Sequence, residues 1–223
     1  MSSERLPLPD CISGPRMIVL VDSRPADATD DGARFAQVVP VLEVMVQEKL
    51  TTFSLSPGDL VLLPELRQLF ADRASFGAHD VGTRADLDRA LAAGVEFVLV
   101  STDDEQLVHA GRAAGVVTLP AALTPNEIRR AWATSASAVQ VLPADLLGSS
   151  YPEALQKLLP EVAVVARGNL GGWSMGRWFE AGAVACVADT PLLGDALNGG
   201  NLSHLRDRCR TYRDVVPAHS SVK

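Results

Sequence analysis

The chain has 223 residues, 47% of them hydrophobic, and a formal charge of −7, with a pI near 5.1. That is enough apolar chain for one domain with a full core. The acidic balance leaves no track for a phosphate backbone, and no apolar run approaches the roughly 20 residues that span a bilayer, so nucleic acid and membrane are both disfavoured as partners.

Residues 1–15 (MSSERLPLPDCISGP) lack the apolar stretch of a secretory signal. They read as a tail, or as a lid on one end of the fold. Cys11, Cys186 and Cys209 are widely spaced, odd in number and without metal-type spacing, which suggests a reduced, cytoplasmic setting. Short β-type apolar runs then recur at 17–21, 51–55, 74–78, 96–100, 115–119, 138–142, 162–166 and 183–187. Helix-period segments lie between them. In 85–93 (ADLDRALAA), Leu87, Ala90 and Leu91 share a face, and 105–114, 125–132, 152–159, 175–181 and 202–215 read alike.

After a longer first unit, strand starts fall about 19 to 24 residues apart. Strands alternating with helices at this period run parallel, joined by right-handed crossovers. Eight such units predict a single α/β domain, a (β/α)8 TIM barrel over 16–217, with 218–223 as a tail. An open doubly wound sheet is the alternative, but no GxGxxG follows an early strand.

Barrels of this kind hold their chemistry at the C-terminal strand ends. Polar residues there are Asp22, Ser23 and Arg24; Ser54 and Ser56; His79 and Asp80; Ser101 to Asp104; Gln140 and Asp145; Arg167 to Asn169; and Asp189 with Thr190. Asp103, Thr83 and Ser174 read as helix caps or solvated loop residues. His79 stands out because imidazole serves as acid, base or ligand; a structurally bonded histidine is the competing reading. Arg167 precedes Gly-Asn-Leu-Gly-Gly, where backbone N–H groups and a guanidinium fork suit an anion. An arginine paired to a neighbouring aspartate in a glycine-rich turn is the alternative. Gln140 is the lone amide in the buried run SAVQVLPAD, so it is either a satisfied core amide or part of a site. His79, Asp80, Asp103, Asp145 and Asp189 have the chemistry of a hard-cation site, but no HxH or HExxH spacing supports it. No resident metal and no cofactor are expected.

Four segments carry a likeness: 77–97 (GAHDVGTRADLDRALAAGVEF), 139–145 (VQVLPAD), 166–170 (ARGNL) and 186–190 (CVADT). In their order and spacing the chain resembles the 2-keto-3-deoxy-6-phosphogluconate / 4-hydroxy-2-oxoglutarate aldolases over roughly residues 17 to 215. These are small trimeric (β/α)8 barrels. The resemblance implies a homo-oligomer, a trimer, with Trp132, Trp173, Trp178 and Phe179 as candidate contact surface or buried helix-layer residues. It also places Gln140 at the imine-forming lysine and Ser54 at the acid/base glutamate. The glycine-rich phosphate cradle becomes Gly168-Asn169 and Ala188-Asp189-Thr190, where Asp189 repels a phosphate dianion. His79 and Asp80 stand at conventional glycine and threonine positions. An amide cannot form an imine, and Lys49, Lys157 and Lys223 are the chain's only lysines.

The expectation is therefore a repurposed, lyase-like enzyme. Its lyase, isomerase or cyclase chemistry would act on a small carboxylate- or carbonyl-containing metabolite without a Schiff base. His79, Asp80, Gln140 and Asp145 are the candidate catalytic residues. Ser54, Arg167, Gly168, Asn169, Asp189 and Thr190 are the candidate substrate binders. The alternative is a non-catalytic binding or scaffold barrel.

Overall fold

The structure, a computed structural model, describes residues 5–23 and 30–217. Arg24 and the tail at 218–223 lie outside the described residues. The elements in chain order are α1 (Asp10–Ser13), β1 (Met17–Val21), α2 (Asp31–Gln47), β2 (Thr52–Leu55), α3 (Leu63–Phe70), β3 (Ser75–Val81), α4 (Arg84–Ala92), β4 (Phe97–Val100) and α5 (Glu105–Ala113). They continue with β5 (Val117–Leu119), β6 (Ala121–Ala122), α6 (Pro125–Ala133), β7 (Val139–Val141), α7 (Tyr151–Leu158), β8 (Val164–Ala166), α8 (Gly172–Glu180), β9 (Ala185–Ala188), α9 (Thr190–Leu193) and α10 (Leu202–Asp214).

The strands hydrogen-bond in the order β5-β4-β3-β2-β1-β9-β8-β7-β6. β5 and β6 stand at the two ends of that order, yet only Pro120 separates them in sequence. They are one barrel strand, broken where proline offers no N–H to the ladder. β5 pairs with β4 and β6 with β7, and the Gln140 N–H donates to Pro120 O at 2.8 Å. The sheet is thus a (β/α)8 barrel.

Side-chain alternation splits the core into two layers. Val19 and Val21 face the helices, while Ile18 and Leu20 face inward with Phe97, Leu99, Val117, Leu119, Val165 and Val187. Gly77 makes room for this filling, since a Cβ there would lie 2.3 Å from the Phe97 ring. Leu6, Leu8, Cys11 and Ile12 pack against the same inner cluster. The Thr52 hydroxyl holds Cys11 O, and the Ser137 hydroxyl donates to Leu6 O at 2.6 Å. The N-terminal segment therefore covers the end of the barrel where strands begin, leaving the C-terminal ends for chemistry.

Helices α2 and α3 occupy the first two intervals, where no clean helical period is legible. α2 carries Pro40 and a valine-rich stretch, which reads as strand until the barrel buries Val38, Val41, Leu42 and Met45. Caps fix the helix starts near the mouth. Thr83 closes a capping box with Asp86 on α4, and Asp104, rather than Asp103, caps α5. Asp103 is a solvated loop residue 3.6 Å from Arg130, and Ser174 lies inside α8.

Candidate functional site

β3 runs to Val81, so His79 and Asp80 lie within the strand rather than beyond it. Alternation alone would turn them to opposite faces. Four residues of β3, Ala78 to Val81, match three of β4, Val98 to Val100, and Asp80 has φ +54°. This bulge swings Asp80 back over the mouth beside His79. His79 is wholly buried, and its Nε2 lies 3.2 Å from Asp22 Oδ1 and 4.0 Å from Asp80 Oδ2. A carboxylate can only accept, so Nε2 carries the proton toward Asp22. In the neutral ring this leaves Nδ1 as a lone-pair nitrogen, buried and without a hydrogen-bond partner among the described residues.

Arg167 follows β8 and reaches across the mouth. Its Nη2 donates to Asp80 Oδ1 at 2.5 Å, and its Nη1 donates to Gln140 Oε1 at 3.3 Å. Gln140 is wholly buried, and its Nε2 donates to Val100 O at 2.9 Å and Leu119 O at 2.6 Å. Carbonyls only accept and a guanidinium only donates, so the orientation of the amide is fixed. Both amide hydrogens are engaged. None is left for a substrate carbonyl or enolate, so the amide is satisfied within the barrel. Gln140 ties β7 to β4 and β5 and holds Arg167.

The remaining candidates divide. Ser54 is wholly buried, with a hydroxyl that has no partner among the described residues. Gly168 has φ +125°, and a Cβ there would crowd Pro143 Cα at 2.9 Å. The Asn169 N–H donates to Asp189 Oδ2 at 3.1 Å. Burial raises the pKa of the Asp189 carboxyl, the Asn169 N–H and Arg167 pull it back, and Asp145 pushes it up again. Asp22, Asp80, Arg167, Asp189 and Thr190 line one cavity of about 320 Å³ with Leu20, Leu193 and Leu197. Asp145 is not brought there. It is exposed and lines a separate cavity with Trp173, Arg177 and Trp178. The histidine's partner is instead Asp22, a strand-end residue outside the candidate set. A second network missed by the sequence buries Asp59 against the Ser23 N–H, the Ser56 hydroxyl and Arg34, bracing the β1 and β2 ends beside the cavity.

The profile of the KDPG and KHG aldolase family matches residues 33–206. The chain belongs to this family. A protein from Rhizobium meliloti (strain 1021), described as a probable 2-dehydro-3-deoxy-6-phosphogalactonate aldolase, is 32% identical over 92 residues, which is 40% of this chain and 43% of the relative's length. The match thus spans less than half of that curated relative. The KDPG aldolase of Legionella pneumophila, solved with pyruvate captured as a covalent carbinolamine, superposes with a TM-score of 0.75 at 17% identity, over 91% of this chain and 96% of the other. The Zymomonas mobilis enzyme, solved with 3-phosphoglycerate, gives 0.74 at 15% identity, over 91% and 94%. At such identities the likeness is one of fold.

Within this aldolase-family barrel the described nucleophiles are poorly placed for covalent work. Lys49 follows α2 and is exposed, and Lys157 pairs with Glu153 at 2.6 Å on the outer face of α7. Burial pushes the thiol of Cys11 up to about 12 and that of Cys209 to about 11, and it raises Cys186 further. Such thiols stay protonated and inert. Among the described residues no group of three or more His, Cys, Asp or Glu side chains is spaced to hold a metal ion.

Proposed function

We propose that this family member is a lyase-like acid–base enzyme that works on a small carbonyl-containing metabolite without forming an imine. The observation that carries this reading is the buried His79, held by Asp22 at 3.2 Å at the mouth. Such a pair passes a proton between its carboxylate rim and a ligand. Asp22 then touches substrate, and His79 acts through it or directly after Asp22 turns. Arg167, Asp80 and Asp189 set the polarity of the cavity, and Gln140 positions Arg167. A cytoplasmic setting and a homotrimer belong to the same proposal. Family membership supports the trimer, as does Trp173, 70% exposed and lining a cavity with Asp145 and Gly148, which flank exposed Leu146 and Leu147. Trp178 and Phe179 are buried, and Trp132 lies under Arg5.

The test is solvent exchange. The protein should wash deuterium from D2O into the carbon next to a small ketone's carbonyl, and Asp22→Asn and His79→Gln should each slow this by about 10²-fold or more. Exchange at the uncatalysed rate in the wild type would refute the reading. One observation favours a second reading, a binding barrel without catalysis: Gln140, Arg167 and Asp80 satisfy one another as a closed set.

A further inference from the structure

The geometry points to a cationic ligand at the barrel mouth, a short amino-carbonyl compound, with Asp80 as the residue that refuses carboxylates. This deepens the proposed function but takes from it only that the mouth is the ligand site. Among the described residues, three carboxylates, Asp22, Asp80 and Asp189, line the cavity with one guanidinium, Arg167. Asp80 occupies that guanidinium, and Gln140 holds it from behind. An incoming carboxylate must therefore displace Asp80 while meeting Asp22 and Asp189. An ammonium meets the opposite situation. Asp189 Oδ1 is buried without a partner among the described residues, and its raised pKa marks a carboxyl whose burial outweighs the help of Asn169 and Arg167. A ligand N–H would fill that gap.

The neutral end of the ligand has its own counterpart. Ser54 pairs in register with Leu20, whose side chain forms the apolar floor of the cavity. Partners in a parallel ladder turn their side chains to the same face. The Ser54 hydroxyl is thus directed into the barrel beneath the mouth, fully buried and without a partner among the described residues. Ser54 is not on the cavity wall, so its hydroxyl meets a ligand carbonyl only where the Leu20 side chain turns aside. Leu20, Leu193 and Leu197 leave room for a carbon chain of a few atoms between the two ends.

Three probes share one three-carbon ketone frame: aminoacetone is cationic, hydroxyacetone neutral and pyruvate anionic. Binding to the full chain is measured by calorimetric titration at low ionic strength. Aminoacetone should bind about tenfold tighter than hydroxyacetone, with pyruvate weakest, as expected of a charge-assisted contact in a partly enclosed site. Asp80→Asn should reverse part of this order. Asparagine tolerates the left-handed backbone of residue 80, and the freed Arg167 should improve pyruvate binding about tenfold. Asp189→Asn should cost the aminoacetone preference about tenfold if the Asp80 variant does not fold. Pyruvate binding as tight as aminoacetone in the wild type, no aminoacetone binding, or neither variant shifting the order overturns the inference. Aminoacetone bound with charge preference but without deuterium exchange leaves this inference standing and removes the catalytic reading. Exchange without charge preference does the reverse.

Discussion

Replacing Gln140 by leucine isolates the contacts that hold the mouth together. The side chains have similar volume, so little cavity forms. What disappears is a pair of hydrogen bonds to Val100 O and Leu119 O, at 2.9 and 2.6 Å, and the longer one from Arg167 at 3.3 Å. A buried polar group left unpaired costs about 1–3 kcal/mol, and a bond to a charged partner is worth about 1.5–3 kcal/mol. The 3.3 Å contact belongs at the low end of that range. Added apolar burial offsets about 1 kcal/mol. The net expectation is a loss of about 2–4 kcal/mol in urea unfolding, with the slope unchanged. A loss below about 0.5 kcal/mol, within the scatter of surface substitutions, would mean that the carbonyls find other partners and that Gln140 is not the tie between β7, β4 and β5.

Gly77→Ala should destabilise by about 1–3 kcal/mol because its Cβ meets Phe97, and Phe97→Leu should recover much of that in a double-mutant cycle. Glu48 sits at the C-terminal end of α2, where a carboxylate is disfavoured, and Arg206, Arg210 and Arg213 surround it. Hydrogen bonds from Arg206, then Arg210, hold its pKa below the ordinary value. Its stabilisation is therefore present above the ordinary carboxylate range and lost on acidification. Glu48→Gln should be less stable than wild type at pH 7, with the gap closing as pH falls through about 4. Asp189 runs the other way. Its pKa is raised, so its ionisation on raising the pH weakens the fold. Asp189→Asn should melt above wild type at pH 7, with the difference vanishing in acid.

The barrel was legible because its signals are local. All eight apolar runs are strands, and Thr83 begins its helix as a polar residue before a periodic stretch should. α2 was not legible, because Pro40 and a run of valines favour extended chain until tertiary burial overrides propensity. The site was half legible. Strand-end counting named His79, Asp80, Arg167 and Asp189, but not which polar residues meet one another. Asp22 and His79 stand at strands separated by β2, which turns only the small Thr52 and Ser54 inward, and no sequence spacing encodes that contact. The Asp80 bulge is likewise invisible, since it arises from one extra residue in β3 against β4. Asp145 followed the same strand-end rule, and its loop carries it into another cavity.

The central claim is proton chemistry in an aldolase-family barrel with no amine at its centre. Reduction with borohydride in the presence of pyruvate tests it most directly, read as the mass of the intact 23.6 kDa chain. The account predicts an unchanged mass; a reduced pyruvate adduct on any lysine within the barrel would contradict it.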